Sequence, residues 1–391
     1  HEAWNKMQQL QKGINGHWQD PKEMPKMKFP DGKVATTDEE SAKAGKAHQE
    51  EVSSNNQEYE TSKIENMKKY PVQERLGTVP TFQEFKMAIK RAAPDKAPGE
   101  TGVCINAFKA MNNENLDIFY QALVKYWIDE DADAEEFHTS ILKLAQKKGD
   151  LSEPKNWRPI QLLDSFRKLI AAIIAHRLDE YLVKEIGLQT QHGFSSSRGC
   201  PDATSSLKIA LEQLRYANQE AFVLFVDLVK AFDSVNREML WKILSNMGVP
   251  DSLINVIKKA YTDITITGKV NGVKFDLEST SGVQQGCPLS PVLFLFAMQA
   301  VLESMDKVWP SKKPELHFLS SADGTPTGHI SKRDNATKTD TMRPIDLYNS
   351  LFADDAAFIF LTREDLIEGT KCIIDHFRAF GLEVHLGKHE K

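Results

Sequence analysis

Two apolar segments that deliver acidic residues restrict this chain more than any other feature. AFVLFVD (221–227) is apolar up to Asp227, and SLFADDAAFIF (350–360) sets Asp354 beside Asp355 among Leu351, Phe352 and Ala356 to Phe360. A near-continuous apolar run reads as a strand buried on both faces, and the second segment reads as a hairpin. Carboxylates inside such segments cost several kcal/mol each unless paired, protonated or bound to a cation. Two strands with acidic ends bring Asp227 beside Asp354 and Asp355. Divalent cations relieve the repulsion within such a patch, and magnesium suits a few carboxylates completed by phosphate oxygens. Each element alone has a plainer reading: Asp227 as a turn or cap residue, Asp354-Asp355 as a polar hairpin turn.

The flanking pattern is α+β. Residues 1–75 are polar, and FPDGKVATTDEE carries an Asp-Gly turn followed by acidic helix-start residues, so this part reads as a loosely ordered or helical approach segment. Thr81 and Glu84 have capping-box spacing ahead of an apolar face in TFQEFKMAIKRA. Helices are expected over 115–128, 165–185, 202–217 and 363–379, and a strand over 139–147. Asn271-Gly272 in ITITGKVNGVKFDLE predicts a type I′ hairpin. CPLSPVLFLFAMQAVLESM opens a helix, the polar stretch from about 306 to 345 reads as a mobile inserted loop, and GLEVHLGK reads as a last strand. Helices packed on a small, mainly antiparallel sheet result.

Composition narrows the partners. The net charge of −6 over 391 residues does not announce a nucleic-acid binder, so such binding would rest on local basic clusters in LKLAQKK, NWRP and SFRKL. Four scattered cysteines form no C-x-x-C pair, which argues against a zinc module and suits a reducing, intracellular compartment. His385 and His389 lie in a strand-like context and do not share a helical face. No apolar run approaches the roughly 20 residues that span a bilayer.

The decisive observation is an ordered set. FVDLVKAFDSV, GVQQGCPLSPVLF, LFADDAAFIF and GLEVHLGKHE occur in that order. They resemble the A, B, C and D palm motifs of reverse transcriptases, specifically those of non-LTR (LINE-like) retrotransposons. KAPGETGV (96–103), KKGDLSEPKNWRPIQLL (147–163) and QHGFSSSRG (191–199) resemble that group's fingers motifs. The resemblance covers about residues 80–390.

The resemblance implies a right-hand polymerase. Residues 76–220 would form the fingers with the start of the palm, and 221–391 the palm, around a small antiparallel sheet backed by helices. Asp227 and Asp354 would ligate two Mg²⁺ ions (or Mn²⁺), with Asp355 completing the acidic set. Phe232 matches the aromatic that abuts the sugar of the incoming nucleotide and excludes a 2′-hydroxyl. Gln285 matches a glutamine lying against that nucleotide, and Gly286 a glycine that permits close approach. Arg158 matches a fingers arginine on the triphosphate, with Lys148, or Lys147, as the neighbouring lysine. Lys388 matches the motif-D lysine that assists the departing pyrophosphate. The partners implied are an RNA template, a DNA primer and dNTPs.

The sequence also departs from the family pattern. His385 stands where the family usually has Asn, and His389 where it usually has Thr. The insertion is long for this group. The chain begins at His1 and ends directly after motif D, so the expectation is a fingers–palm core of a longer polyprotein, with the thumb absent and the endonuclease elsewhere. A nuclear destination follows from the resemblance alone. Two other readings compete: a non-catalytic remnant serving only as an RNA- or protein-binding module, and an RNA-dependent RNA polymerase. Intact Asp227, Asp354, Asp355 and Phe232 argue against the first. Phe232, and Ala353 before the aspartates, argue against the second.

Overall fold

The computed structural model describes residues 24–54, 57–129, 131–132, 135–188, 190–194, 198–310, 315–320, 326–328, 341–346 and 348–387. Its strands, in chain order, are β1 (Thr139–Gln146), β2 (Trp157–Leu162), β3 (Phe222–Val226), β4 (Ile264–Val270), β5 (Val273–Ser279), β6 (Glu315–Ser320), β7 (Pro326–Gly328), β8 (Thr341–Asp346), β9 (Asn349–Phe352) and β10 (Asp355–Phe360). The principal helices are α1 (Asp38–Ser53), α2 (Phe82–Arg91), α3 (Asn113–Ile128), α4 (Ser165–Tyr181), α5 (Cys200–Tyr216), the short α6 (Ala231–Ser234), α7 (Arg237–Asn246), α8 (Asp251–Lys259), α9 (Ser290–Asp306) and α10 (Arg363–Ala379). The class is α+β. No described helix is long and apolar enough to cross a membrane.

The chain divides into two units, each assembled from non-consecutive stretches: His1–Glu58, Lys68–Leu178 and Phe232–Phe294 in the first, Tyr59–Met67, Asp179–Ala231 and Leu295–Lys391 in the second. The first unit is built on a sheet of order β2-β1-β4-β5, antiparallel except where β1 runs parallel to β4. The β4–β5 hairpin turns at Asn271 and Gly272, both at positive φ, as a type I′ turn requires. Helix α1 starts at Thr37, whose side chain accepts the Glu40 N–H, with three acidic residues in its first turn. Its buried Ala42, Ala44 and Gly45 let it lie close to the sheet; a Cβ at Gly45 would sit 3.3 Å from Val270. Helix α1, and with it residues 24–54 of the approach segment, is therefore an integral layer of this unit, whereas Tyr59–Met67 belongs to the second. Helix α2 carries the expected capping box between Thr81 and Glu84.

The second unit holds a sheet of order β3-β10-β9. Helix α5 covers one face, where Ile359 packs against Ala210 and Leu214 and Ser350 bonds the Ala203 carbonyl at 3.0 Å. Helix α10 covers the other, where Gly369 lies against the Phe360 ring. The alternation of Ile359 and Phe360 along β10 accounts for the two faces.

Three expectations need correction. Segment 221–227 is not buried on both faces: β3 is the edge strand of its sheet, Val226 is buried, and Phe225 is 73% exposed. The stretch around 306–345 is not simply a loop, because α9 runs to Asp306 and β6, β7 and β8 pair into a sheet of order β7-β6-β8; the rest of it lies outside the described residues. The described part of GLEVHLGK, residues 381–387, forms no strand, only a single bridge from Val384 to Leu228. Its alternating pattern resembles a strand, yet only the stretch beside residues 227–229 finds a ladder partner.

Candidate active site

The three aspartates belong to the second unit and sit at the ends of strands. β9 and β10 pair with Phe352 opposite Asp355, so Ala353 and Asp354 form a two-residue turn. Ala353 has φ of 61°, a conformation that costs an L-residue about 1 kcal/mol or more. β3 pairs antiparallel to β10 with Val226 opposite Ala356, and continuing that register puts Asp227 opposite Asp355. The Asp227 carbonyl accepts the His385 N–H at 2.8 Å, and the Val229 N–H reaches the Glu383 carbonyl at 2.8 Å. Two separate backbone ladders thus hold the strand end that carries Asp227.

The aspartates are less buried than a mid-strand position implies: Asp227 and Asp355 are exposed and Asp354 is half-buried. The hairpin turn takes Asp354 out of the apolar run, and Asp355 and Asp227 lie at strand ends rather than mid-strand. Burial raises the Asp354 carboxyl above its ordinary value, against a bond from its own backbone N–H, and the charges of Asp355 and Asp227 raise it further. The Asp354 carboxylate therefore lies within the field of the other two. Among the described residues no three His, Cys, Asp or Glu side chains form a ready cage for a metal ion. Exposed hard oxygen donors that leave coordination positions for phosphate oxygens and water do fit magnesium.

The nucleotide-contact candidates belong to the first unit. Phe232, on α6, stacks on Phe294 with ring centres 4.8 Å apart and planes 16° from parallel. The loop that leads into α9 is fastened to α6: Val283 N–H to the Phe232 carbonyl at 2.9 Å, Gly282 N–H to Val235 at 3.0 Å, and Gln285 Nε2 to both carboxylate oxygens of Asp233. Gly282, at φ of 70°, is required here because a Cβ would lie 2.7 Å from the Asp233 backbone. Gly286 has φ of 116°, and a Cβ there would run into the Gln161 carbonyl of β2. Its lack of a side chain is thus already required by the chain's own packing. Arg158 is exposed on β2 opposite Ala145. Lys148 is exposed in the loop between β1 and β2, while Lys147 Nζ donates to the Lys155 carbonyl at 3.4 Å. Lys388 and His389 lie outside the described residues.

Two supporting residues escaped the sequence reading. Arg237 is 9% exposed and sends its guanidinium to the carbonyls of Tyr261, Ser279, Ser281 and Gly282 and to the Ser279 hydroxyl. Burial lowers its pKa to about 10. It fixes the loop that ends in Gln285. Gln191, in the second unit, is buried against Ala353. An arginine in a helix's first turn and a glutamine in a Gly/Ser-rich loop carry no local signal of either task.

Comparison with known proteins agrees with the motif order. The model of the family described as Reverse transcriptase (RNA-dependent DNA polymerase) matches residues 145–391. The chain therefore belongs to the reverse transcriptase family, within its non-LTR retrotransposon branch. It is 28% identical to the Transposon TX1 uncharacterized 149 kDa protein of Xenopus laevis over 253 residues, 64% of this chain and 19% of the relative. It is 29% identical to a retrovirus-related Pol polyprotein from type-1 retrotransposable element R2 of Popillia japonica over 229 residues, 57% of this chain and 30% of that one. A probable RNA-directed DNA polymerase from transposon BS of Drosophila melanogaster is 26% identical over 282 residues, 68% of this chain and 30% of the relative. The chain thus spans less than a third of each of these relatives.

Proposed function

We propose that this chain is the fingers–palm core of an RNA-templated DNA polymerase that extends a DNA primer with dNTPs. The observation that carries the reading is the gathering of Asp227, Asp354 and Asp355 at adjoining strand ends, where Asp354 feels both other charges. Asp227 and Asp354 would hold two Mg²⁺ ions, or Mn²⁺, with Asp355 beside them. When bound, such ions activate a primer 3′-hydroxyl and stabilise a leaving pyrophosphate.

The chain's own residues supply the remaining tasks. The Phe232 ring, braced by Phe294, blocks the space a 2′-hydroxyl needs. Gln285, held by Asp233, presents a fixed amide to the nucleotide. Arg158 and Lys148, both exposed, offer positive charge to the triphosphate. Lys388 protonates the departing pyrophosphate. The RNA template, the primer and the rest of a longer polyprotein are the partners this reading requires, with the nucleus as the place of action.

Primer extension on an RNA template tests it. With Mg²⁺ and dNTPs the chain should extend the primer, and Asp354→Asn should abolish extension while template binding persists. Wild-type extension by Asp354→Asn would remove the metal-site assignment. No extension by the wild-type chain, alone or lengthened at its C-terminus, would favour a remnant that only binds.

A further inference from the structure

The turn that carries Asp354 is held from outside its own hairpin. Residues 190–193 run along β9: the Leu351 N–H bonds the Thr190 carbonyl and the His192 N–H bonds the Leu351 carbonyl, both at 2.9 Å. This brings the buried Gln191 side chain against Ala353. Gln191 Oε1 accepts the Ala353 N–H at 3.0 Å and the Gly193 N–H at 2.8 Å, and Nε2 faces the Ala353 carbonyl at 3.4 Å. A Cβ on Gly193 would strike the Ala353 backbone, so the two segments touch at main-chain distance. Arg198 Nη1 donates to the Gln191 carbonyl at 3.1 Å and secures the loop on its other side.

We propose that Gln191 is a positioning residue that holds Ala353 in its left-handed conformation and thereby aims the Asp354 carboxylate. Ala353 is the one residue of the turn with positive φ, and it precedes Asp354 directly. An alanine enters that region at an energetic cost, so something must hold it there. A primary amide suits the task, because one end accepts the N–H and the other donates to the carbonyl of the same residue. A carboxylate at position 191 would keep the acceptor, lose the donor and add a negative charge near Asp354. The aim of Asp354 matters for catalysis only if the polymerase reading is right, whereas the hold on Ala353 does not depend on it.

The test compares Gln191→Met, which keeps the volume and removes every bond, with Ala353→Gly and the double variant. Glycine adopts positive φ without a Cβ penalty, so it should not need the hold. Amide hydrogen exchange over residues 349–356 should accelerate about tenfold in Gln191→Met, the effect of losing a net hydrogen bond. The Mg²⁺ concentration giving half-maximal extension should rise, with the dNTP KM unchanged. The double variant should recover both the Mg²⁺ midpoint and most of the activity. Unchanged exchange and Mg²⁺ midpoint in Gln191→Met, or failure of Ala353→Gly to rescue, would overturn the proposal. An active Asp354→Asn would instead sink the polymerase reading, and the exchange data would still decide whether Gln191 holds the turn.

Discussion

Gln285 donates through one amide nitrogen to both carboxylate oxygens of Asp233, at 2.8 and 3.0 Å. A charged acceptor gripping a single nitrogen fixes which way the amide faces, leaving its carbonyl turned away from Asp233. Asp233→Ala should therefore free the Gln285 side chain and raise the dNTP KM about tenfold, the loss expected for one hydrogen bond to a charged group, with a smaller fall in kcat. Steady-state primer extension with varied dNTP checks it. An unchanged KM would mean the orientation of Gln285 is irrelevant to nucleotide binding.

The Phe232 ring carries two separable burdens. As the proposed sugar gate, Phe232→Val should admit ribonucleotides, seen as a rise in rNTP relative to dNTP incorporation by one or more orders of magnitude, since rejection here is steric rather than a matter of one lost bond. As a ring stacked on the fully buried Phe294, the same change should also cost about 1 kcal/mol or more of stability. Phe294→Leu should reproduce the stability loss with little change in sugar selection. Equal relaxation of selectivity in both variants would assign the effect to loosening of the pair rather than to the gate.

Gly286→Ala should destabilise the protein in the absence of any nucleotide. The new methyl would collide with the Gln161 carbonyl, and the backbone at φ of 116° is unfavourable for an L-residue. A backbone obstacle cannot swing aside as a side chain does, so the cost should be about 3 kcal/mol, within the range of severe single substitutions. Chemical denaturation without ligands measures it. A full-stability variant that fails only in nucleotide binding would restore the purely ligand-facing explanation of this glycine.

What the sequence disclosed divides along a physical line. Features set by neighbouring residues were legible: the Asn271-Gly272 turn and the Thr81–Glu84 capping box. The acidic set was legible because motif order ties its three members together. Residues that act across the chain were not. Gln191 reaches Ala353 over a separation of 162 positions, and Arg237 reaches the 279–282 loop from a helix start that looks ordinary. Burial was misjudged for Asp355 and Phe225 because apolar composition does not say where a hairpin turns or which strand is an edge.

The first unit also contains an acid-sensitive tie. Arg177 binds Glu84 through Nε at 2.8 Å and Nη2 at 2.9 Å, and its Nη1 bonds the carbonyls of Leu76 and Thr78. Burial pushes the Glu84 carboxyl up, but the Thr81 N–H and the Arg177 guanidinium outweigh it and leave the group below its ordinary 4.5. A depressed folded-state pKa contributes stability that is complete above the unfolded value and is lost as pH falls through the folded one. Glu84→Gln should cost roughly 1 kcal/mol at neutral pH, a modest figure because the carboxylate is 37% exposed. That deficit should shrink as pH falls below 4.5, until wild type and variant unfold at the same denaturant concentration. Denaturation midpoints measured for both proteins from pH 7 downward check the sign, and a gap that widens in acid would show that the tie to Arg177 is not what Glu84 contributes.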